Sequence, residues 1–344
     1  MTDTLEVAVL LFDPKLPYSF SKTNEIGKEE LEAARHLREA LSQLDGYNFT
    51  YFDDHETLID ALRKAPVDLA LNFCDVGYRN DWNLVIHIAT LLEVFGIPYT
   101  GSDASAMIMA SDKPAARALA IGCGVPVPDE TYIDLAREPY NLPERYPALI
   151  KPCIGGGSWG VSAESVVHDE DQARRYLKGL ADKGEILLVV AQEFLTGEEY
   201  TVGVLGNAET GLEILPPMAI DYSQLDDELP PIFTYDAKFD PESPYYESLR
   251  HHRAEISDAE LEEIGTYCER LFARLGARDY ARIDFRRDAS GQVKFLDANP
   301  NPTWYWDSRL AIAASWAGYD YPRLIEKIMQ SAWQRNLAER AKTS

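Results

Sequence analysis

Cysteine is scarce in this chain, with four in 344 residues. Cys74, Cys123, Cys153 and Cys268 lie far apart and form no CxxC pair. That spacing argues against a disulfide framework or a cysteine-based zinc site and fits buried thiols in a reducing compartment. Long apolar runs are missing as well. No stretch approaches the ~20 apolar residues of a membrane span, and the short run Val7 to Phe12 follows no basic segment. No membrane partner is expected, and a cytoplasmic location is. Positive charge is in deficit, with 33 Lys and Arg against 57 Asp and Glu for a net −24. Phosphate backbones need a basic face, so nucleic acid is not an expected partner, and a polyanionic substrate must meet a local cluster of Lys and Arg. His87, His168 and the pair His251-His252 fall in no Ser/His/Asp or Cys/His arrangement, so covalent catalysis by the protein is not expected. Internal repeats and low-complexity tracts are absent too.

What is present reads as an α/β protein long enough for two or three subdomains. From Glu6 to about residue 101, apolar runs alternate with amphipathic stretches as βαβαβα, which predicts a Rossmann-like parallel sheet with right-handed crossovers. Gly96-Ile-Pro-Tyr-Thr-Gly-Ser102 closes that unit. A helix is expected over Ser105 to Ile121, a strand from Tyr146 into Lys151, a helix from Asp169 to Lys183 and a strand from Glu185 to Gln192. The stretch Leu215 to Leu249 is long, Pro-rich and aromatic, and a loop of that length argues for function. A helix at Asp258 to Leu275 precedes two apolar runs joined by Asp288-Ala-Ser-Gly291, and terminal helices are expected at Ser308 to Ala317 and Tyr321 to Ala338.

The two joined runs, Ala281-Arg-Ile-Asp-Phe-Arg286 and Phe295-Leu-Asp-Ala-Asn-Pro-Asn-Pro302, read as a hairpin that brings Asp284, Asp297 and Asn299 together. Three hard oxygen ligands beside Arg282 suit Mg²⁺ that already carries phosphate oxygens, although an acidic surface hairpin gives the same pattern. Gly155-Gly-Gly-Ser-Trp-Gly160 follows a strand, so its backbone N–H groups can close over an anion. It lacks the Gly-Lys-Ser/Thr end of a P-loop and does not occupy a first βα turn. Lys113, Lys151 and Lys238 stand beside element boundaries. Each alone also reads as a solvated surface charge. Together with the glycine run and the oxygen ligands they describe a cation-lined cleft for ATP and Mg²⁺. Gln192-Glu-Phe-Leu-Thr-Gly-Glu-Glu-Tyr200 adds a strand end for an adenine edge and a carboxylate for ribose.

In that order, Ser111-Asp-Lys113, Ile150-Lys-Pro152, Gln192-Glu-Phe, Gly197-Glu-Glu-Tyr-Thr-Val-Gly203, Tyr235-Asp-Ala-Lys-Phe239, Ala281-Arg-Ile-Asp284 and Asp297-Ala-Asn299 resemble the ATP-grasp superfamily, in its D-alanine:D-alanine ligase-like branch. The resemblance implies a three-subdomain fold, divided as 1–104, 105–191 and 192–330 with a helical tail at 331–344. It implies that Lys113, Lys151 and the loop through Ser158 hold ATP phosphates, that Gln192 and Leu195 meet adenine, that Glu199 binds ribose and that Lys238 touches the nucleotide. Asp284, Asp297 and Asn299 would hold Mg²⁺, two ions or Mn²⁺ in its place, and Arg282 would stabilise the acyl phosphate and tetrahedral intermediate. Small-molecule carboxylate and amine substrates and a homodimer are implied as well.

The departures concern substrate. The branch carries a glutamate after its first strand, where this chain reads Leu11-Phe-Asp-Pro-Lys-Leu-Pro17. The branch's loop serine falls at Gly157 and its tyrosine at Phe239, and its usual metal-binding glutamate is Asp297 here. Ser308 matches the residue that holds the second substrate's carboxylate, and Arg309 stands ready to assist it. Trp304 and Trp306 read either as an aromatic rim of the acceptor pocket or as subdomain packing. The expectation is an ATP-dependent ligase joining an amino acid to a small carboxylate in specialised metabolism. The alternatives are an authentic D-alanine:D-alanine ligase and a non-catalytic nucleotide-binding protein.

Overall fold

The computed structural model describes residues 4–18, 24–240 and 242–343, with the side chains of Lys238, Phe239, Glu247 and Thr343 outside the described set. The N-terminal unit runs β1 (Leu5–Leu10), α1 (Lys28–Leu41), β2 (Tyr47–Phe52), α2 (Leu58–Lys64), β3 (Leu69–Asn72) and α3 (His87–Phe95). Its three strands are parallel in the order β2-β1-β3, as the alternation of runs implies. Because strand side chains alternate, Val7, Val9, Leu69 and Leu71 enter one core with α1, while Ala8, Leu10 and Ala70 enter another with α2 and α3.

The middle of the chain holds α4 (Ala104–Ser111), α5 (Lys113–Gly122), β4 (Glu130–Asp134), β5 (Ala148–Pro152), β6 (Val166–Val167), α6 (Glu170–Lys183) and β7 (Leu188–Glu193). The strands pair antiparallel in the order β4-β7-β5-β6. The helix expected over Ser105 to Ile121 is two helices. Pro114 cannot continue a helix from before it, so the chain breaks at Asp112, whose carboxylate caps α5 by accepting from the Ala115 amide at 2.9 Å. The break turns Lys113 toward β5, where its own amide donates to the Cys153 carbonyl at 2.9 Å.

The remainder contains β8 (Glu199–Asn207), β9 (Gly211–Ile214), β10 (Met218–Asp221), α7 (Asp236–Phe239), α8 (Pro244–Ser248), β11 (Arg250–Arg253), α9 (Asp258–Leu275), β12 (Asp279–Arg287), β13 (Val293–Asn299), α10 (Arg309–Trp316) and α11 (Tyr321–Thr343). Its sheet runs β11-β10-β8-β12-β13, with β9 also on β8. The long stretch after Leu215 is thus partly ordered as β10, α7 and α8, and α11 runs unbroken past residue 330. Helix α9 starts with a reciprocal capping box between Ser257 and Glu260 and stops at Gly276 in the left-handed region. Its apolar stripe of Ile264, Cys268, Leu271, Phe272 and Leu275 packs under β8 and β12.

One buried carboxylate ties these parts together. Asp279, fully buried at the start of β12, accepts from the Gly101 amide at 2.9 Å and from Asn207 Nδ2 at 2.9 Å. Arg335 of α11 grips it through Nε at 3.1 Å and Nη2 at 2.9 Å and also donates to the Tyr99 carbonyl at 2.8 Å. A buried charge stripped of its partner is costly, whereas an exposed pair contributes little. Arg335→Met is therefore expected to lower the unfolding free energy in urea by about 3–5 kcal/mol. Arg323→Met, which removes a largely exposed guanidinium from Glu326, should cost at most about 0.5 kcal/mol. Equal losses in the two variants would contradict this role for Asp279.

Candidate active site

Strands β12 and β13 pair with Arg282 opposite Asn299 and Asp284 opposite Asp297. Period two sends Ala281, Ile283 and Phe285 into the core under α9, so Arg282, Asp284 and Arg286 project from the other face. The turn that sets this register is held by Asp288 Oδ1, which accepts from the amides of Ser290 at 2.8 Å and Gln292 at 3.0 Å. Arg282 reaches both oxygens of Asp284 at 3.1 Å, and Asn299 Nδ2 lies 3.3 Å from Asp284 Oδ2. Thr201 on β8 donates to Asp284 from the neighbouring strand. Burial pushes the Asp284 pKa up, but the charge and hydrogen bonds of Arg282, with Arg309 and Thr201 adding to them, together outweigh it and hold the carboxyl below the usual range. The register shift after Asp284 leaves Leu296 as an extra residue facing the cleft.

Across the cleft, β5 presents Lys151 and the glycine run follows it. Lys151 is nearly buried, and burial first, then the charge of Lys113, brings its pKa down to about 8. Lys113 Nζ donates to the Gly155 carbonyl at 2.7 Å, which pins the loop entrance. Gly155, Gly157, Ser158 and Gly160 all have φ in the left-handed region, so the loop turns tightly where glycine is favoured. At the far end Gln192, buried, donates to Glu130 at 2.6 Å, and Leu195 is buried in the lining. Glu199 Oε2 accepts from Tyr222 at 2.8 Å and Arg286 at 3.4 Å. Lys113, Lys151, Gly157, Ser158, Gln192, Leu195, Glu199, Arg282, Asp284, Asp297, Asn299 and Arg309 all line this one cavity.

Arg286 was absent from the expected set, yet it is nearly buried and binds the carbonyls of Gly197 at 3.0 Å and Pro231 at 2.7 Å as well as Glu199. Its signal was in the sequence, because it shares the period-two face of Arg282 and Asp284. Arg309 lies over the Phe233 ring at 4.1 Å. Ser308 caps α10, its hydroxyl accepting from the Ala311 amide at 3.2 Å, so its oxygen lies at the helix N-terminus. Lys238 and Phe239 belong to α7, but their side chains lie outside the described residues. The aromatic rim is corrected. Trp304 is buried, stacks on Phe73 at 5.0 Å and donates to its carbonyl at 2.9 Å, while Trp306 lies against His36 at 4.7 Å, and neither lines the cavity. A separate hollow of about 420 Å³ beside α6 has Glu164 as its sole lining carboxylate and none of the hairpin residues.

Among the described residues no group of three His, Cys, Asp or Glu is placed to hold a metal. The hairpin instead offers two carboxylates and an amide on one face, a donor set that fits Mg²⁺ completing its shell with phosphate oxygens. Known proteins bear on the same residues. Residues 137–330 match the family model described as the D-Ala-D-Ala ligase C-terminus. The D-alanine–D-alanine ligase of Aquifex aeolicus is 31% identical over 244 residues, 70% of this chain and 75% of that protein. The chain belongs to the D-alanine–D-alanine ligase family. The ligase of Bacillus anthracis complexed with ATP superposes with a TM-score of 0.68 at 20% identity, covering 97% of this chain and 99% of that one. The VanG D-Ala:D-Ser ligase of Enterococcus faecalis does so with a TM-score of 0.70 at 16% identity, covering 96% and 100%. As a member of this family the protein has the ATP-grasp fold and is an ATP-dependent ligase that forms C–N bonds, which removes the non-catalytic alternative. No helix among the described residues is long and apolar enough to cross a membrane.

The depressed Lys151 pKa carries a sign that stability measurements can read. Below pH 8 the lysine is protonated in both states and its burial costs the fold. Between about 8 and the ordinary 10.5 the unfolded chain holds a proton that the folded one has released, so stability rises with pH. Relative to Lys151→Met, the protein should gain up to about 1.4 kcal/mol per pH unit across that window in urea unfolding. A difference that stays flat, or falls, would contradict a desolvated Lys151.

Proposed function

We propose that the protein activates an amino-acid carboxylate with ATP and passes the acyl group to the amine of a second amino acid, two D-alanines being the pair its relatives support best. The specialised pairing expected from the altered donor residues takes second place to that reading. The observation that carries the proposal is the β12/β13 register, which aims Arg282, Asp284, Asp297 and Asn299 into the cavity that Lys113 and Lys151 also line. In this reading Gln192 and Leu195 border adenine, the free side of Glu199 meets ribose, and Lys113, Lys151 and the loop through Gly157 and Ser158 cover the phosphates. Lys238, whose side chain lies outside the described residues, matches the family's further nucleotide-contacting lysine. Bound at Asp284, Asp297 and Asn299, Mg²⁺ supplies charge neutralisation at the transferring phosphoryl group.

The γ-phosphoryl group moves to a carboxylate oxygen of the donor and ADP leaves. The acceptor amine then attacks the carbonyl carbon, phosphate departs with the oxygen it received, and the amine gives up a proton as the amide forms. Arg282 is placed to offset charge on the carbonyl oxygen as the tetrahedral centre develops. The N-terminus of α10 at Ser308, with the Arg309 guanidinium, suits the acceptor's carboxylate.

A different acyl donor is the second reading, favoured by the exit from β1. The buried Asp13 carboxylate is taken up by the amides of Lys15 at 2.9 Å and His55 at 2.8 Å, so it does not offer itself to a substrate ammonium. Gly157 and Phe239 likewise lack the hydroxyls of the family's serine and tyrosine. ADP release measured across pairs of D- and L-amino acids separates the readings. Turnover fastest with two D-alanines supports the first, turnover fastest with another pair supports the second, and no ADP with any pair overturns both. With the best pair, Arg282→Ala should lower kcat by about 10²–10³-fold and Arg282→Lys by less, with the KM for ATP changed little.

A further inference from the structure

Gly156 is a glycine for a reason its own backbone does not supply. Its neighbours Gly155, Gly157 and Gly160 have φ of +131°, +64° and +73°, where a side chain is strained, but Gly156 lies outside that region. What crowds a side chain there is a neighbour: a Cβ on Gly156 would stand 3.1 Å from Cζ2 and 3.2 Å from Cη2 of Trp82, so the ring would have to give by a few tenths of an ångström. Trp82 belongs to the N-terminal unit, on a single 3-10 turn between β3 and α3. The indole therefore reaches out of one unit onto the phosphate loop of another.

The arm that carries Trp82 is firmly based. Gly77, at φ +90°, lets it fold back so closely that a Cβ would lie 2.7 Å from the Val85 amide nitrogen. Asn80 is buried and exchanges two hydrogen bonds with Asp13 at the exit of β1, accepting from its amide at 2.9 Å and donating to its carbonyl at 2.7 Å. Asp81 caps the turn by accepting from the Asn83 amide at 3.0 Å. In the loop it touches, Trp159 is exposed and the Lys113 bond to Gly155 holds the entrance.

We propose that Trp82 is a positioning residue that latches the glycine loop from the N-terminal unit, so that the loop is held closed over the nucleotide when the two units are docked. The inference rests on the reading above, in which residues 155–160 cover the ATP phosphates. The Trp82 ring beside a glycine backbone takes the place of hydrogen bonds that Gly157 and Phe239 have no hydroxyl to make. Loss of the latch lowers the fraction of closed loop, which weakens nucleotide binding in proportion and admits water to the activated donor.

The test is a mutant cycle read in two ways. With the amino-acid pair that gives the fastest turnover, Trp82→Ala is expected to raise the KM for ATP about tenfold, the scale of one lost aromatic contact. It should also release ADP in excess of the amide formed, while Trp82→Phe retains most coupling. Gly156→Ala should impair the protein with Trp82 present and do so much less beside Trp82→Phe, whose shorter ring leaves room for the Cβ. Equal damage from Gly156→Ala in both backgrounds overturns the latch. Hydrogen exchange reads the contact without turnover: Trp82→Ala should speed exchange at residues 155–160 and leave α9 unchanged. If the protein released no ADP with any pair, the functional reading would fall and the exchange result would still decide the contact. Unchanged exchange in the loop would overturn the latch whatever the activity.

Discussion

Across one antiparallel pair of strands, Asp284 faces Asp297 and Arg282 faces Asn299. A slip of one residue would turn all four toward the core under α9 and bring Ile283 and Ala298 into the cleft. The register is held from both ends and from both sides. Asp288 fixes the turn, and Asp279 fixes the start of β12 against α11 and the end of the N-terminal unit. Strand β8 supplies Thr201 to Asp284 as a lateral check. Beyond β13 the chain continues into Asn301, whose Oδ1 accepts from the Ser102 amide at 2.8 Å, and Trp304, stacked on Phe73. The stretch that carries the metal-ligand candidates is thus also the stretch on which the N-terminal unit docks.

Charge in the cleft follows from the same placement. Arg282 and Asp284 are partly buried together, and each favours the other's charged form against the cost of desolvation. Among the described residues no carboxylate pairs with Lys151, and burial lowers its pKa, as it does for a cation awaiting an anion. Burial and then Arg282 also work against the charge on Arg309, which leans on the Phe233 ring instead. A chain of net −24 therefore keeps a local group of cations for a polyanion.

Most of the candidate site is legible because its residues are local in sequence. Residues 282, 284, 297 and 299 share a face by simple alternation, and a turn signal separates the two runs. The parallel N-terminal sheet was legible for the same reason, with apolar runs alternating with helical spacing. The helix from Ser105 was misread because its interruption depends on Asp112 serving as a cap and Pro114 forcing it, a local competition that apolar periodicity does not register. Trp304 was ambiguous because its partner, Phe73, lies far away in sequence. Arg286 and Trp82 escaped for opposite reasons: one shares an alternation that was not followed far enough, and the other acts only through a contact between units.

In the proposed reading the lysines, the glycine loop and the β12/β13 residues serve ATP, while Gly157 and Phe239 bear on the choice of acyl donor. The central claim is that a substrate carboxylate accepts the phosphoryl group before the amine attacks. Oxygen-18 placed in the carboxylate of the acyl donor tests it most directly, with the inorganic phosphate analysed by mass spectrometry. Transfer of a single labelled oxygen into each phosphate is the predicted result, and phosphate free of label from a reaction that still forms the amide would contradict it.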